Sequence, residues 1–298
     1  MMLYGRIVHL VPFIAVGLLE ACGGGAATNP AALSLPQIAV GEPHPQPTSV
    51  ARDFRLLSQQ AVSGVTSAQN VVIRDAAEFR ALWAKHMGNR VPVPDVPAID
   101  FSQKMVVGVF AGQLPHGCGG VSLHHVRNDG ARQTVAYSVT TAMPEVCTMV
   151  MGSPAVLAVI DRSDVPVEFV QSAATNVPLA TIDISAHSLH GLARNAVIKD
   201  QAAWETLWAE HKGAGSAAPA VDFTRNMVVA SFHGPGDGCA GISLPRALRS
   251  GSVVTVIRRV AERPAGMACT QILRTPAHIV SMERTDDQVV FATESAGN

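Results

Sequence analysis

Apolar and polar positions along this chain follow two rhythms, and each rhythm occurs twice. Phe79, Leu82, Trp83 and His86 fall at i, i+3, i+4 and i+7, and Trp204, Leu207, Trp208 and His211 repeat the spacing. That period describes one apolar face of a short amphipathic helix. Asp75 and Asp200 stand where an N-cap is needed, and Asp75 with Glu78 forms a capping-box pattern. Gly88 and Gly213 mark the expected stops. His86 and His211 fall in the last turn, where the helix dipole favours a cation. The Trp pair is read as core packing of the helix onto a sheet, with a recognition surface as the alternative.

The second rhythm is that of strands. Short runs rich in Val and Ile, bounded by turn residues, predict strands at 71–74, 105–107, 121–126, 134–140, 155–160 and 167–170. Matching runs stand at 196–199, 227–229, 242–248, 253–259, 277–282 and 289–292. Asn128-Asp129-Gly130 and Ser250-Gly251 supply hairpin turns. Asp100-Phe101 and Asp222-Phe223 each precede a Met-Val-Val run, with the Asp closing an Asx turn and the Phe anchoring it.

The two sets are one module written twice. Asn70 is answered by Asn195 at an offset of 125 residues, and Gly117 by Gly238 at 121. A period this long is a duplicated domain, not an array of short repeats. The predicted fold class is α+β, mainly β. It comprises two tandem homologous modules, each a mostly antiparallel sheet of about five or six strands with one amphipathic helix packed on it. The expected boundaries are 1–22 for an export signal, 23–50 for a tether, 51–172 for module one and 173–298 for module two.

The start of the chain indicates where the protein resides. Arg6 precedes an apolar run from Ile7 to Leu19, which ends in Leu19-Glu20-Ala21-Cys22. A short apolar run before a small residue reads as a secretion signal. The Leu-x-Ala-Cys ending resembles the bacterial lipoprotein box, which makes Cys22 the expected lipidation site. Ordinary signal cleavage and an uncleaved anchor are the alternatives. Residues 23–50 are rich in Gly, Ala, Pro, Ser and Thr, too poor in core-forming side chains to fold by themselves. Net charge is −1 and no basic stripe exists, so nothing draws a nucleic acid.

Four further cysteines remain: Cys118, Cys147, Cys239 and Cys269. Four cysteines allow three pairings. A single ancestral module would have held one pair, which favours Cys118–Cys147 and Cys239–Cys269 over cross-module links. An exported chain meets an oxidising compartment that permits both bonds. Each closes a loop worth about 3.6 kcal/mol on the chain-entropy relation. Reduced buried thiols and a Cys/His metal site are the alternatives. His116 lies near Cys118, but Asp237 stands at its place in the second copy, so no metal-ligand spacing recurs. The expectation is no metal and no cofactor.

No nucleophile elbow or metalloprotease motif is present. The glycines at Gly117 and Gly238 lead into strands and carry no Lys, so they read as positive-φ positions and room beside the disulfides, not a phosphate loop.

Taken together, several features resemble the C-terminal domain of the PrcB family, a protease-complex subunit. They are Leu-Trp at 82–83 and 207–208, Asp-Phe before Met-Val-Val, Gly112 and Gly234, the Gly-start strands, and the Ser/Thr-Pro before a Val-Ile strand. The match covers roughly 70–170 and 190–292. It implies an exported lipoprotein that assembles with a partner such as a secreted serine protease. On that reading the chain is a non-enzymatic, envelope-anchored binding or accessory subunit. Its contact surface is the loop cluster near each disulfide: 113–117 with 142–151, and 234–238 with 263–271. The residues singled out there are His116, Met143, Met149, Met151, Asp237 and Met267. Methionines suit adaptable contacts, with core filling as the alternative. The competing function is a protease inhibitor or a hydrolase with a site between the modules, drawing on His124 or His125 with Asp237.

Overall fold

Each helix begins where its aspartate can accept backbone N–H groups. The computed structural model describes residues 49–261 and 266–296. In it α1 spans Ala76–His86 and α2 spans Gln201–Lys212. The Asp75 carboxylate accepts from Ala77 and Glu78 at 2.9 Å, and Asp200 accepts from Ala203 at 2.8 Å. These bonds satisfy donors that a first helical turn leaves free. Gly213 ends α2 with a φ of 102°, which a Cβ would strain. Gly88 is not the stop expected of it, because Met87 already caps α1 in the right-handed region. Asp100 and Asp222 close their Asx turns, each carboxylate accepting from both the N–H and the hydroxyl of the residue two places on.

Eight strands accompany each helix among the described residues. In the first copy they are β1 (Val50–Arg52), β2 (Phe54–Gln60), β3 (Ala68–Ile73), β4 (Lys104–Ala111), β5 (Gly120–Asn128), β6 (Gln133–Thr140), β7 (Ala155–Asp161) and β8 (Val167–Gln171). In the second they are β9 (Thr175–Val177), β10 (Ala180–Ser185), β11 (Arg194–Ile198), β12 (Asn226–Phe232), β13 (Gly241–Ser250), β14 (Val253–Ala261), β15 (Ala277–Glu283) and β16 (Gln288–Ala296). The first copy pairs its strands as β1-β5-β6-β8 and β3-β4-β7-β2. The second pairs the equivalent strands in the same two orders, β9-β13-β14-β16 and β11-β12-β15-β10. Neighbours are antiparallel except β6–β8, β14–β16 and β16–β2.

The last of these pairings joins the copies. Phe54, Arg55 and Leu56 of β2 lie in parallel register with Ala292, Thr293 and Glu294 of β16. One eight-stranded sheet therefore runs β3-β4-β7-β2-β16-β14-β13-β9. Side-chain clamps reinforce the seam. Asp53 accepts from the Phe291 N–H at 2.8 Å, and Gln288 exchanges hydrogen bonds with the backbone of Ala51.

The unbroken Met-Val-Val runs follow from this layering. Val106 faces α1 and packs with Phe79 and Trp83, while Met105 and Val107 face the sheet that carries β5 and β6. A strand covered on both faces has no polar side to present. The second copy repeats this arrangement with Val228 against Trp204 and Trp208, and with Met227 and Val229 against β14. In β14 every residue from Val253 to Ile257 is buried. Val254 and Val256 pack within the second copy, whereas Ile257 joins the first copy's core and Val253 packs with Ala51.

The fold is mainly β with helices packed on sheets, as the class prediction states. The picture of two modules, each with its own single sheet of five or six strands, is corrected. Each copy splits its eight strands between two sheets, and one sheet crosses the boundary. The copies thus form a short array in which a neighbour completes a sheet, as in stacked-repeat proteins. The physical reason lies in strands that periodicity did not reveal, β1, β2, β9 and β10. The β2 sequence Phe-Arg-Leu-Leu-Ser-Gln-Gln lacks strict alternation because a bulge interrupts its register between Leu56 and Ser58. Residues 1–22, where an export signal ending at Cys22 is expected, and all but the last residues of the expected 23–50 tether lie outside the described residues, while Val50 already belongs to β1. Among the described residues no helix is long and apolar enough to cross a membrane.

Candidate functional site

The cysteines pair as the duplication implied. Cys118 bonds Cys147 and Cys239 bonds Cys269, with Cα separations of 5.8 and 5.5 Å. These bonds point to an oxidising, extracytoplasmic compartment. Each disulfide clamps a loop that a short backbone ladder also holds. Leu114 and Gly152 exchange two hydrogen bonds, and Gly117 donates to Thr148. Gly236 and Arg274 exchange two, and Gly238 donates to Thr270. The recurrent glycines are needed for this close approach. A Cβ on Gly117 would lie 2.6 Å from the Thr148 hydroxyl, and one on Gly238 would collide with Thr270. Positive φ is not their role; it occurs instead at Gly112 (80°) and Gly234 (79°), which pack against Ala68 and Ala193.

The ladders hold apolar tips in solvent. Met143, Met149 and Met151 are 57%, 75% and 56% exposed, and Val146 between them is 91% exposed. Met267 is likewise exposed, and Ile272 and Leu273 stand beside it in the second copy's loop. The core-filling alternative for these methionines is therefore set aside. The other two residues assigned to the loops play internal roles. His116 is buried, with Nε2 at 3.0 Å from the Thr141 carbonyl. Asp237 is half-buried and accepts from the Cys239 N–H at 2.9 Å. Residues 262–265 of the second loop lie outside the described residues.

Asp237, Cys239 and Cys269 bring potential ligand atoms within 4.8 Å of one another. The two sulfurs are bonded to each other, so neither is a thiolate that could hold a metal.

The last-turn histidines are not cations facing a helix dipole. His86 and His211 are both 0% exposed. Burial, with Arg90 nearby, pushes His86 down to about 4, and burial also lowers His211. In the first copy His86 lies between Ser58 Oγ at 2.9 Å and Ser63 Oγ at 2.7 Å. In the second, His211 Nε2 meets Asp183 Oδ2 at 2.9 Å and Nδ1 meets Ser188 Oγ at 2.8 Å. A carboxylate only accepts, so the neutral ring carries its proton on Nε2, and Ser188 donates to Nδ1. Ser188, His211 and Asp183 thus hold the order of donors found in hydrolytic triads. Sequence reasoning missed this set because it sought residues shared by both copies, and Ser58 stands where the second copy has Asp183. The surroundings fit a structural tie. Ser188 is 5% exposed, its Oγ accepts from the His190 N–H, and its own N–H is held by the Thr275 carbonyl. Lys212 approaches Asp183 at 2.9 Å. Burial tends to raise the Asp183 carboxyl, but the bonds from His211 and Lys212 outweigh it and hold it below the usual value.

The other proposed catalytic set does not assemble. His124 meets Ser172 at 3.2 Å and Ser138 at 3.0 Å, leaving neither ring nitrogen for Asp237. His125 is buried, and burial followed by Arg127 and His124 pushes it to about 4. The cleft of about 310 Å³ beside the seam is lined by charged groups such as Asp53, Arg55, Asp100 and Lys104, not by these histidines.

A recurrent pair of arginines also escaped sequence reasoning. Arg162 donates from Nη1 to the carbonyls of Arg74 and Phe101, and Arg284 to those of Lys199 and Phe223. Each ties the Asx turn to the approach to the helix. Asp161-Arg162 and Glu283-Arg284 recur 122 residues apart and were the available signal.

No family model matches the chain, and no curated protein or solved structure matches it.

Proposed function

We propose that this chain is an exported binding protein, tethered to the cell envelope through Cys22, that acts as an accessory subunit of another exported protein. The resemblance to the PrcB C-terminal domain names the class of partner, a secreted serine protease. One observation carries the reading. In both copies a disulfide and a backbone ladder fix a loop whose tip is apolar and solvent-exposed. A preorganised apolar tip loses little conformational entropy on binding, which favours recognition by rigid loops. Flexible methionines add tolerance of shape.

Site-directed photo-crosslinking from Met149 and Ile272 in the native envelope tests the reading. The expected product joins the chain to an exported protease. Val146→Ser with Val150→Ser, which leaves both probe positions in place, reduces its yield at least fivefold without a change in melting temperature. Equal yield from the variant, or crosslinks to lipid alone, would sink the proposal.

The Ser188–His211–Asp183 arrangement favours a second reading, a hydrolase. It requires turnover of a peptide or ester that Ser188→Ala abolishes. On the accessory-subunit reading the purified chain shows no such turnover.

A further inference from the structure

The seam between the copies supplies a template for a contact between molecules. At the seam, the β2 edge of the first copy pairs with the β16 edge of the second. The duplication provides each of these edges a second time. β10 is the second copy's counterpart of β2, and β8 is the first copy's counterpart of β16. Their sheets end at these strands, β10 in the order β10-β15-β12-β11 and β8 in the order β1-β5-β6-β8. Neither strand has a neighbour on its outer side among the described residues.

The correspondence extends to single residues. Gln60 pairs with Ala155 as Ser185 pairs with Ala277, and the bulge at Leu56/Ser58 recurs at Thr181/Asp183. Gln133 pairs with Val167 as Val254 pairs with Val289. The seam register of Phe54, Arg55 and Leu56 with Ala292, Thr293 and Glu294 therefore maps onto Leu179, Ala180 and Thr181 with Val170, Gln171 and Ser172. The bulge is no obstacle, because β2 pairs through the residues that precede it.

Burial differs between the used and the unused edges. Phe54, Leu56, Phe291 and Ala292 at the seam are buried. At the matching positions of the free strands, Val170 is 37% exposed and Leu179 is half-buried. On β6 Thr134 is half-buried, whereas its counterpart Thr255 is covered by the first copy and donates to the His124 carbonyl. An open strand edge carries unpaired backbone groups that favour pairing with another chain.

We propose that the β8 edge of one molecule docks in parallel on the β10 edge of a second copy, extending across molecules the seam that joins the repeats. The contact is heterologous, so it leaves one free β8 and one free β10 and propagates as an open row. It is weaker than the internal seam for two reasons. The internal one is intramolecular, and its clamps are missing here: Pro178 stands at the place of Asp53, and Pro166 at that of Gln288.

Two variants of the full chain, Gln171→Cys and Ala180→Cys, each adding one cysteine to the five already present, test the contact. Both positions are exposed, so neither change disturbs the core. In-register neighbours across a strand pair lie within the Cα range that a disulfide spans. Under mild oxidation, a mixture of the two variants is expected to give a crosslinked dimer, with peptide mapping locating the bond between the introduced thiols. Neither variant alone should do so. Adding Val170→Lys to the first variant should reduce the yield at least tenfold while its circular dichroism is unchanged. Sedimentation of the unmodified chain should shift to larger species with concentration. Self-crosslinking of Gln171→Cys alone would replace the proposal with a symmetric β8–β8 contact. Absence of crosslinks from a mixture of two folded variants, with sedimentation as a monomer at every concentration, would overturn it outright.

Discussion

Acid should unfold this protein earlier than its carboxylates alone would dictate, because it buries neutral histidines. His86 is the clearest case. It is 0% exposed, both ring nitrogens are hydrogen-bonded to serines, and its folded value of about 4 lies well below the ordinary 6.5. Between those two values the unfolded chain binds a proton that the folded chain refuses, so stability rises with pH across the window and is lost as pH falls through it. Integrating from pH 7 to pH 4.5, one such histidine removes roughly 2.4 kcal/mol. His125, also pushed to about 4, removes a similar amount. Together they approach ~5 kcal/mol, against a typical domain stability of ~5–15 kcal/mol. Burial lowers His124, His211 and His278 too, and these act in the same direction. The carboxylates of Asp100, Asp129 and Asp222 are held below their ordinary value of 3.8 by hydrogen bonds within their turns and lose their contribution only in stronger acid, outside the window. Urea denaturation at half-unit intervals from pH 7 to 4.5 measures the effect. His86→Gln should be less stable at pH 7 yet show a pH dependence smaller by roughly 2.4 kcal/mol over that range. A wild-type loss below ~1 kcal/mol, or an unchanged dependence in the variant, would refute the claim that His86 is held neutral.

The tryptophans and the disulfides give two further expectations. Trp83 Nε1 donates to the Pro94 carbonyl at 3.1 Å and Trp204 Nε1 to the Pro219 carbonyl at 2.9 Å, whereas the buried Trp208 Nε1 meets no acceptor among the described residues. Trp83→Phe and Trp204→Phe should each lose about 1 kcal/mol or more in chemical denaturation, and Trp208→Phe distinctly less. Cys118→Ser with Cys147→Ser should lower stability by about 3.6 kcal/mol; a loss near zero would mean the backbone ladder alone orders the loop.

The sequence by itself determined the local elements and their duplication. Asp75 and Asp200 dictate where the helices begin, because an N-cap acts on the residues beside it. The Val-rich strands, the Asx turns and the disulfide pairing were legible for the same reason, or through comparison of one copy with the other. The exposure of Met143, Met149 and Met151 was not, since a methionine in a loop is equally suited to a core until the tertiary contacts are known. The buried histidines were misread because helix position indicated a last turn but not that Ser58, Ser63, Asp183 and Ser188 would converge there from other elements. The seam was the least legible feature. No periodicity in Phe54–Gln60 or Gln288–Ala296 specifies that one copy's edge pairs with the other's, because backbone groups make the pairing and the clamping roles of Asp53 and Gln288 appear only once the strands are side by side. Only the tertiary structure shows Ile257 and Ala292 entering the first copy's core, where contacts between residues two hundred positions apart decide which edge is closed and which is left open.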